Sequence, residues 1–504
     1  MKKRITALLV ICVILIQSTP VAAIPYMSFG FVPYTSFGFW RLDDDGNNFG
    51  RFFMQAPYMP ASPMPVIGNP LFVDGESVQG LQHPMDLFIC ADDYIFVVDM
   101  RQNRAVQMTE RSEFIREFGD YDGPGRLNNP EGIFVRRDTG EVYISDTGNF
   151  RVAVFCSEGV FLREITRPYD SRIQDILFRP ERIGIDSRGF YVVQLKGENR
   201  GLMLLTPNGE FNGFFGANIS QPGVIERVRS RFYSMEQRMA TQTVQNSISD
   251  MYIDDLGFLY TATAAANTEQ VKKFNVGAQN LFRDRQMDVA PIATLSQGWF
   301  DGIRTSYSSV TVDDKGNVFA LCSGTGRVFM FDSFGEPVFV FGARMFDRGN
   351  ITVGLFGDPT AIRVNSNGTL FVTDLAYRGV LVFTPTPFAL RIKELNYLSM
   401  DGRWHDAVPL AREILEDNVF FMSAHMVIGN AYFQDQDWAM ARSYFRRAFN
   451  SQEYSEAFWE HRLVFMQQNF VYLVLVIPAI IFLFGVKNVV TRKRRASTPA
   501  LGTN

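Results

Sequence analysis

Side chains that could do chemistry recur in this sequence at a fixed interval. Asp99, Asp146 and Asp374 each close an apolar run of strand character, and Arg104 and Arg151 follow the first two by five residues; Arg327 holds the same place after Cys322. A carboxylate at such a turn accepts local backbone donors and a guanidinium adds charge-assisted hydrogen bonds, so the pair reads as a turn-forming device. Gln194, Thr263 and Cys322 stand where the Asp stands elsewhere, and Gly379, beside Arg378, replaces the Arg. Polar residues of the same turns that the pairing does not use, Arg101, Asn103, Asn149 and Lys196, are the candidate ligand- or partner-binding groups. No nucleophile elbow, phosphate loop, zinc-helix motif or paired-cysteine metal signature occurs. His83 is the only histidine ahead of residue 405, so imidazole acid/base chemistry has little to draw on.

The elements that hold these residues repeat with them. Leu127 to Phe155, "LNNPEGIFVRRDTGEVYISDTGNFRVAVF", runs through a Pro, an alternating strand, a Gly140 turn, a second strand ending at Asp146, a polar turn and a third strand. The same order starts at Gln82, Phe178, Asn246, Ser306 and Phe356, and Phe118-Gly119, Phe215-Gly216 and Phe341-Gly342 close a fourth strand. Four short strands per unit, six times over, predict a mainly-β chain folded as a six-bladed β-propeller over residues 67–390. The wording of "NPEGIFV" and "VYISDTGNFRVAVF" resembles the NHL repeat, and the resemblance covers residues 80 to 390 with drift in the fourth and fifth units. It implies an interaction module. Lyases on similar propellers need several His ligands that this chain lacks. A calcium-dependent lactonase, whose site uses carboxylates and Asn, is the alternative the resemblance leaves, with Glu131, Asp146 and Asn149 in one unit. No catalytic residue is assigned, and calcium is the sole cofactor considered.

Outside the repeats, "PYMSFGF" from Pro25 returns as "PYTSFGF" from Pro33, within an aromatic and Pro-rich segment, 24–66. It is expected to form extended strands along the propeller, with a strand near Val66 closing the ring. Insertions at Gln221–Gln245 and Arg283–Thr305 separate units three, four and five. Cys90, Cys156 and Cys322 are read as small buried hydrophobes.

After Pro385 the apolar period changes to that of a helix. Leu395 and Gly429, Leu398 and Tyr432, Trp404 and Trp438, and Ala407 and Ala441 match at an offset of 34 residues. Residues 390 to 455 resemble two tetratricopeptide repeats, within a helical stretch at 391–467, with Gln436 in place of the turn Gly402. The resemblance implies a protein-binding groove. Two repeats are too few to stand alone and should pack on something. A helix over Ser455 to Gln467 is expected to cap them with Trp459 and Phe465 and to run on as a rigid stalk. Deleting the repeats is expected to leave the propeller stable.

Composition sets the location. The chain has 504 residues, 46% of them hydrophobic, and a net charge of −4. Lys2, Lys3 and Arg4 make one end basic, Lys487 and Arg492 to Arg495 the other, and the stretch between is acidic, which excludes nucleic acid as a partner. Residues 1–23 read as a signal peptide. Residues 468–486, with the uncharged run Phe470 to Val486, read as a transmembrane helix, and 487–504 as a basic cytoplasmic tail. The expected protein is plasma-membrane, single-pass type I, with most of its chain extracytoplasmic. A membrane or envelope protein, or a glycan, is the expected partner.

Overall fold

The computed structural model describes residues 37–41, 49–119, 122–217, 247–264, 270–282, 306–345, 354–472, 474–475 and 482–489. Both insertions, the signal peptide, the first aromatic repeat and residues 490–504 lie outside these.

Six antiparallel sheets form the body. Blade 1 uses Pro84–Ile89, Ile95–Asp99, Arg104–Met108 and Phe114–Phe118; blade 2 uses Gly132–Val135, Val142–Asp146, Arg151–Phe155 and Phe161–Ile165. Blade 3 uses Pro180–Ile185, Tyr191–Leu195, Gly201–Leu205 and Phe211–Gly216; blade 4 has Asp250–Ile253, Leu259–Ala262 and Val271–Phe274 among the described residues. Blade 5 uses Tyr307–Val312, Val318–Cys322, Arg327–Phe331 and Pro337–Phe341, and blade 6 Pro359–Val364, Leu370–Asp374 and Gly379–Pro385. The first strand of each blade touches those of its two neighbours, and blade 6 touches blade 1, so the first strands make a closed ring of six. Both faces of most inner strands are buried, which is why they read as near-continuous apolar runs.

Apolar layers between successive blades hold the ring. Phe118 and Phe155 meet edge to face at 6.0 Å between blades 1 and 2. Closure comes from the chain's beginning: Tyr58–Pro60 pairs with Phe383–Pro385, and Val66–Ile67 with Val380 and Leu381. The closing segment therefore starts ahead of residue 67. Tyr58 is fully buried, stacks on Phe341 at 5.1 Å and donates its hydroxyl to the Gly368 carbonyl. Closure also explains Gly379: a Cβ there would lie 2.7 Å from the Ile67 carbonyl oxygen, so no Arg fits. The hairpin Phe37–Arg41 and Phe49–Phe53 adds to the outer edge of blade 5.

Helices follow, among them α1 (Pro387–Met400), α2 (Trp404–Asp417), α3 (Met422–Gln434), α4 (Trp438–Arg447) and α5 (Ser451–Gln468). Helix α1 begins at a Thr386 cap with Pro387 in its first turn. Phe388, Ile392 and Leu395 of α1 share one core with Phe319, Leu370 and Phe383 of blades 5 and 6. Lys393 reaches back into the blade and bonds Asp313 at 2.9 Å, both side chains buried. Ala407 and Ala441 are fully buried, Trp404 is half-buried, Tyr432 stacks on Tyr444 at 5.6 Å, and Trp438 meets Phe433 edge to face. A Cβ on Gly429 would sit 2.6 Å from the Phe445 ring, so helix crossing requires glycine there. Gln436 takes the left-handed turn at φ +60 that Gly402 takes at +71.

Buried His425 donates Nε2–H to the Val419 carbonyl, on the tautomer that bond requires, and burial, with Arg447 adding, holds its pKa below the ordinary imidazole range. The unfolded chain then binds the proton more readily. Stability from this site is present above about pH 6.5 and falls as the pH drops toward the folded value, by up to about 1.4 kcal/mol per pH unit. Melting at pH 7.5 and 5.5 should give a larger acid loss for the native chain than for His425→Gln.

One expectation changes. The helix α5 does not cap its neighbours through Trp459 and Phe465, which are 53% and 56% exposed; Ala457 is its buried contact, against Ala441 and Phe445. Among the described residues no helix is long and apolar enough to cross a membrane. Within the expected span, 470–472, 474–475 and 482–486 are helical, and 473 and 476–481 lie outside the described set.

Candidate functional site

In four blades a β-bulge follows the first residue of the inner strand, at Pro84/Asp86, Pro180/Arg182, Tyr307/Ser309 and Pro359/Ala361. The bulge re-aims the next side chain. Register makes Asp86, Gly132, Arg182, Asp250, Ser309 and Ala361 equivalent, each opposite the residue before the turn position, which in blade 3 is held by Leu195 and not by Gln194. The side chains of Asp86, Arg182, Asp250 and Ser309 and that of Arg363, two residues past Ala361 and so on the same face of its strand, meet at the axis.

There they form one network. Arg363 bonds Asp86 at 3.0 Å and Asp250 at 3.0 Å, and Arg182 lies 3.2 Å from Asp250 and 3.4 Å from Asp86. Ser309 donates its hydroxyl to Asp250, while the Ile133 and Val310 amides donate to Asp86 and Asp250. Arg182 also donates to the Glu131 carbonyl at 2.7 Å, and Arg363 to the Ile362 carbonyl at 2.7 Å. Two carboxylates and two guanidiniums balance, and every blade is tied in through side chain or backbone. Burial pushes Asp86 up against the pull of Arg182 and Arg363. Burial pushes Asp250 the same way, but Arg363, Arg182 and the Ser309 hydroxyl outweigh it and hold it below the ordinary carboxylate range. The space left beside this layer, under Phe88, Phe134 and Tyr252, is about 20 Å³, room for one water. The layer braces the ring and pairs Asp86, Arg182, Asp250 and Arg363 with one another.

The turns after the second strands lie on one face, and the helices dock on the opposite face, beyond the far ends of the inner strands at Asp313. Asp99 accepts from the Gln82, His83 and Gln102 amides; Asp374 accepts from Gly357, Asp358 and Ala376. Asp146 accepts from the Asn128 amide at 2.7 Å, Asn149 Nδ2 at 2.8 Å and Arg151 Nε at 2.8 Å. Each carboxylate pins the loop that enters its own blade. Arg104 and Arg151 run on to Glu117 and Glu164, both at 2.7 Å, and Arg327 is buried opposite Cys322. Asp146→Ala should cost about 3 kcal/mol, because a buried guanidinium contact and two further donors lose their acceptor; urea unfolding measures it.

The four candidate binding residues do not converge. Asn103 accepts from the Asn129 amide at 2.8 Å, Asn149 donates to Asp146 and the Arg126 carbonyl, and Lys196 bonds both oxygens of buried Glu131. Burial, with the neighbouring Glu131 charge adding, pushes Glu181 up beside them in spite of Arg182 and Lys196. Arg101 is exposed. The carboxylates of the calcium reading are engaged in these contacts: Lys196 bonds Glu131, and Asp146 accepts its turn donors. Among the described residues no group of three His, Cys, Asp or Glu could hold a metal. Cys90, Cys156 and Cys322 are free thiols, Cys322 buried and Cys90 and Cys156 partly so.

Sequence reading missed Phe150. The turn to the third strand needs a left-handed residue, met by Asn103 at φ +52, Gly326 at +62 and Arg378 at +51, and in blade 2 by Phe150 at +58 with 46% of its surface exposed. A bulky residue there costs about 1 kcal/mol or more, and the Phe150 ring is only partly covered in return. The missed axial residues had a signal: Asp86 and Arg182 fall two residues past Pro84 and Pro180, Asp250 and Ser309 three past Ser247 and Ser306, and Arg363 four past Pro359.

No family model and no curated protein matches this chain. Among solved structures, it is similar to a catalytically inactive virginiamycin B lyase from Staphylococcus aureus with quinupristin, at 12% identity and TM-score 0.38, over 69% of this chain and 96% of that one. It is similar to a gluconolactonase from Xanthomonas campestris, at 11% identity and TM-score 0.40, over 66% and 98%. A hydrazine synthase from Kuenenia stuttgartiensis gives 12% identity and TM-score 0.36, over 63% and 99%. At these values the likenesses carry no argument about activity, and the six-bladed ring rests on the chain's own strand pairing.

Proposed function

We propose that the chain is a membrane-anchored extracytoplasmic binding protein, in which an NHL-type propeller and tetratricopeptide-like helices hold a protein partner in the membrane or cell envelope. The observation that carries this reading is Phe150, an exposed aromatic kept in a strained turn on the face opposite the helices. Strain at an exposed position is a mark of contact with something else. The neutral, fully engaged axial layer supports binding over catalysis. Anchoring is supported by the helical residues Phe470, Val471, Tyr472, Phe482, Leu483 and Phe484, 63–70% exposed and uncovered by any described part of the protein.

Phe150→Asn tests the reading, because Asn tolerates the left-handed turn. The variant should be more stable than the native chain by about 0.5–1 kcal/mol and should lose at least three-quarters of the partner recovered with the full-length chain from native membranes in mild detergent. Equal recovery of the same partner by both chains overturns the role of this face.

A further inference from the structure

The outward face of α5 is apolar where a helix in water should be polar. Ala457 marks its packed side, and Arg442 meets His461 on that side at 3.3 Å. The opposite side carries Trp459, Arg462, Leu463 and Met466, spaced i, i+3, i+4 and i+7, a single stripe on a helix of 3.6 residues per turn, and Phe470 follows just past the cap at Asn469. Trp459, Met466 and Phe470 are 53%, 43% and 63% exposed, and Arg462 lies 4.8 Å over the Trp459 ring. The stripe is continuous with the exposed apolar helical residues from Phe470 onward.

We propose that α5 lies along the membrane surface, with this stripe at the boundary between headgroups and acyl chains. The inference rests on the anchoring described under Proposed function and replaces the upright stalk. Distance decides between the two. Trp459 is eleven residues from Phe470, about 16 Å along a straight helix, whereas the headgroup layer on one side is only about 5–8 Å thick. An upright α5 lifts Trp459 into water; an α5 in the plane, turning at Asn469 where the helix is capped, keeps Trp459 at the depth where tryptophan partitions best. Arg462 then extends from the stripe to lipid phosphates.

The experiment reconstitutes the full chain and the Trp459→Phe variant into phosphatidylcholine/phosphatidylglycerol vesicles, confirms flotation, and measures tryptophan quenching by lipids brominated near the headgroup or deep in the chain. One of the five tryptophans is removed. The native chain should show a component of about one-fifth of the emission quenched at least twofold more by the shallow bromines, and Trp459→Phe should lack it. Flotation with equal quenching of both chains overturns the in-plane helix and leaves the anchor standing. Failure to float overturns both. Intermolecular crosslinking through Met466→Cys, with Trp459 unquenched, assigns the stripe to a second copy and overturns the proposal.

Discussion

Arg363→Met should lower the stability of the protein by about 3–5 kcal/mol, a fall of about 5–10 °C in the thermal midpoint, measured by calorimetry on the full chain. Arg363 bridges Asp86 and Asp250, both wholly buried. Without it, two carboxylates face one guanidinium inside the protein, and one negative charge loses its compensation. Coupled removal should behave differently. Arg363→Met with Asp86→Leu leaves Arg182 and Asp250 as a neutral pair 3.2 Å apart, so the double variant should be less destabilised than the sum of the single variants by at least about 1 kcal/mol. Additive losses would mean that the four groups do not act as one network.

A chain ending at Thr386 should fail to yield a soluble propeller. Helix α1 places Phe388, Ile392 and Leu395, each at most 2% exposed, into the core of blades 5 and 6. Burying three such side chains stabilises by roughly 5–9 kcal/mol, as much as a domain's whole margin. The truncation also strips Lys393 from buried Asp313. Lys393→Met, which keeps the apolar cover, should cost about 3 kcal/mol and leave the protein folded. A truncated chain that melts cooperatively within a few degrees of the intact chain would show that the helices are an independent domain. Deleting the helices is therefore not a clean test of what they bind, because the propeller depends on them. Surface substitutions such as Phe150→Asn address binding without touching this core.

The sequence by itself determined the local structure: strand, turn, strand, six times over, and then helices. Alternation of apolar residues, turn glycines and the Asp-to-Arg interval are set by contacts a few residues apart, such as Asp146 with Asn149 and Arg151, so they appear in a linear reading. Ring closure near Val66 was legible for a similar reason, since an open sixth blade demands another strand. Tertiary structure alone decided the rest. Asp86, Arg182, Asp250 and Arg363 are spread across 278 residues, and none has its partner nearby in the chain. Their repeat positions are legible, but only the ring places them within 3.0–3.4 Å of one another, where a low-dielectric interior forces charges to pair. The same holds for Lys196, which reads as a free rim cation until the fold sets it against Glu131, and for Trp459, which reads as a core anchor until Ala457 takes the packed side of α5. Pairing and burial depend on distance in space, which the fold creates.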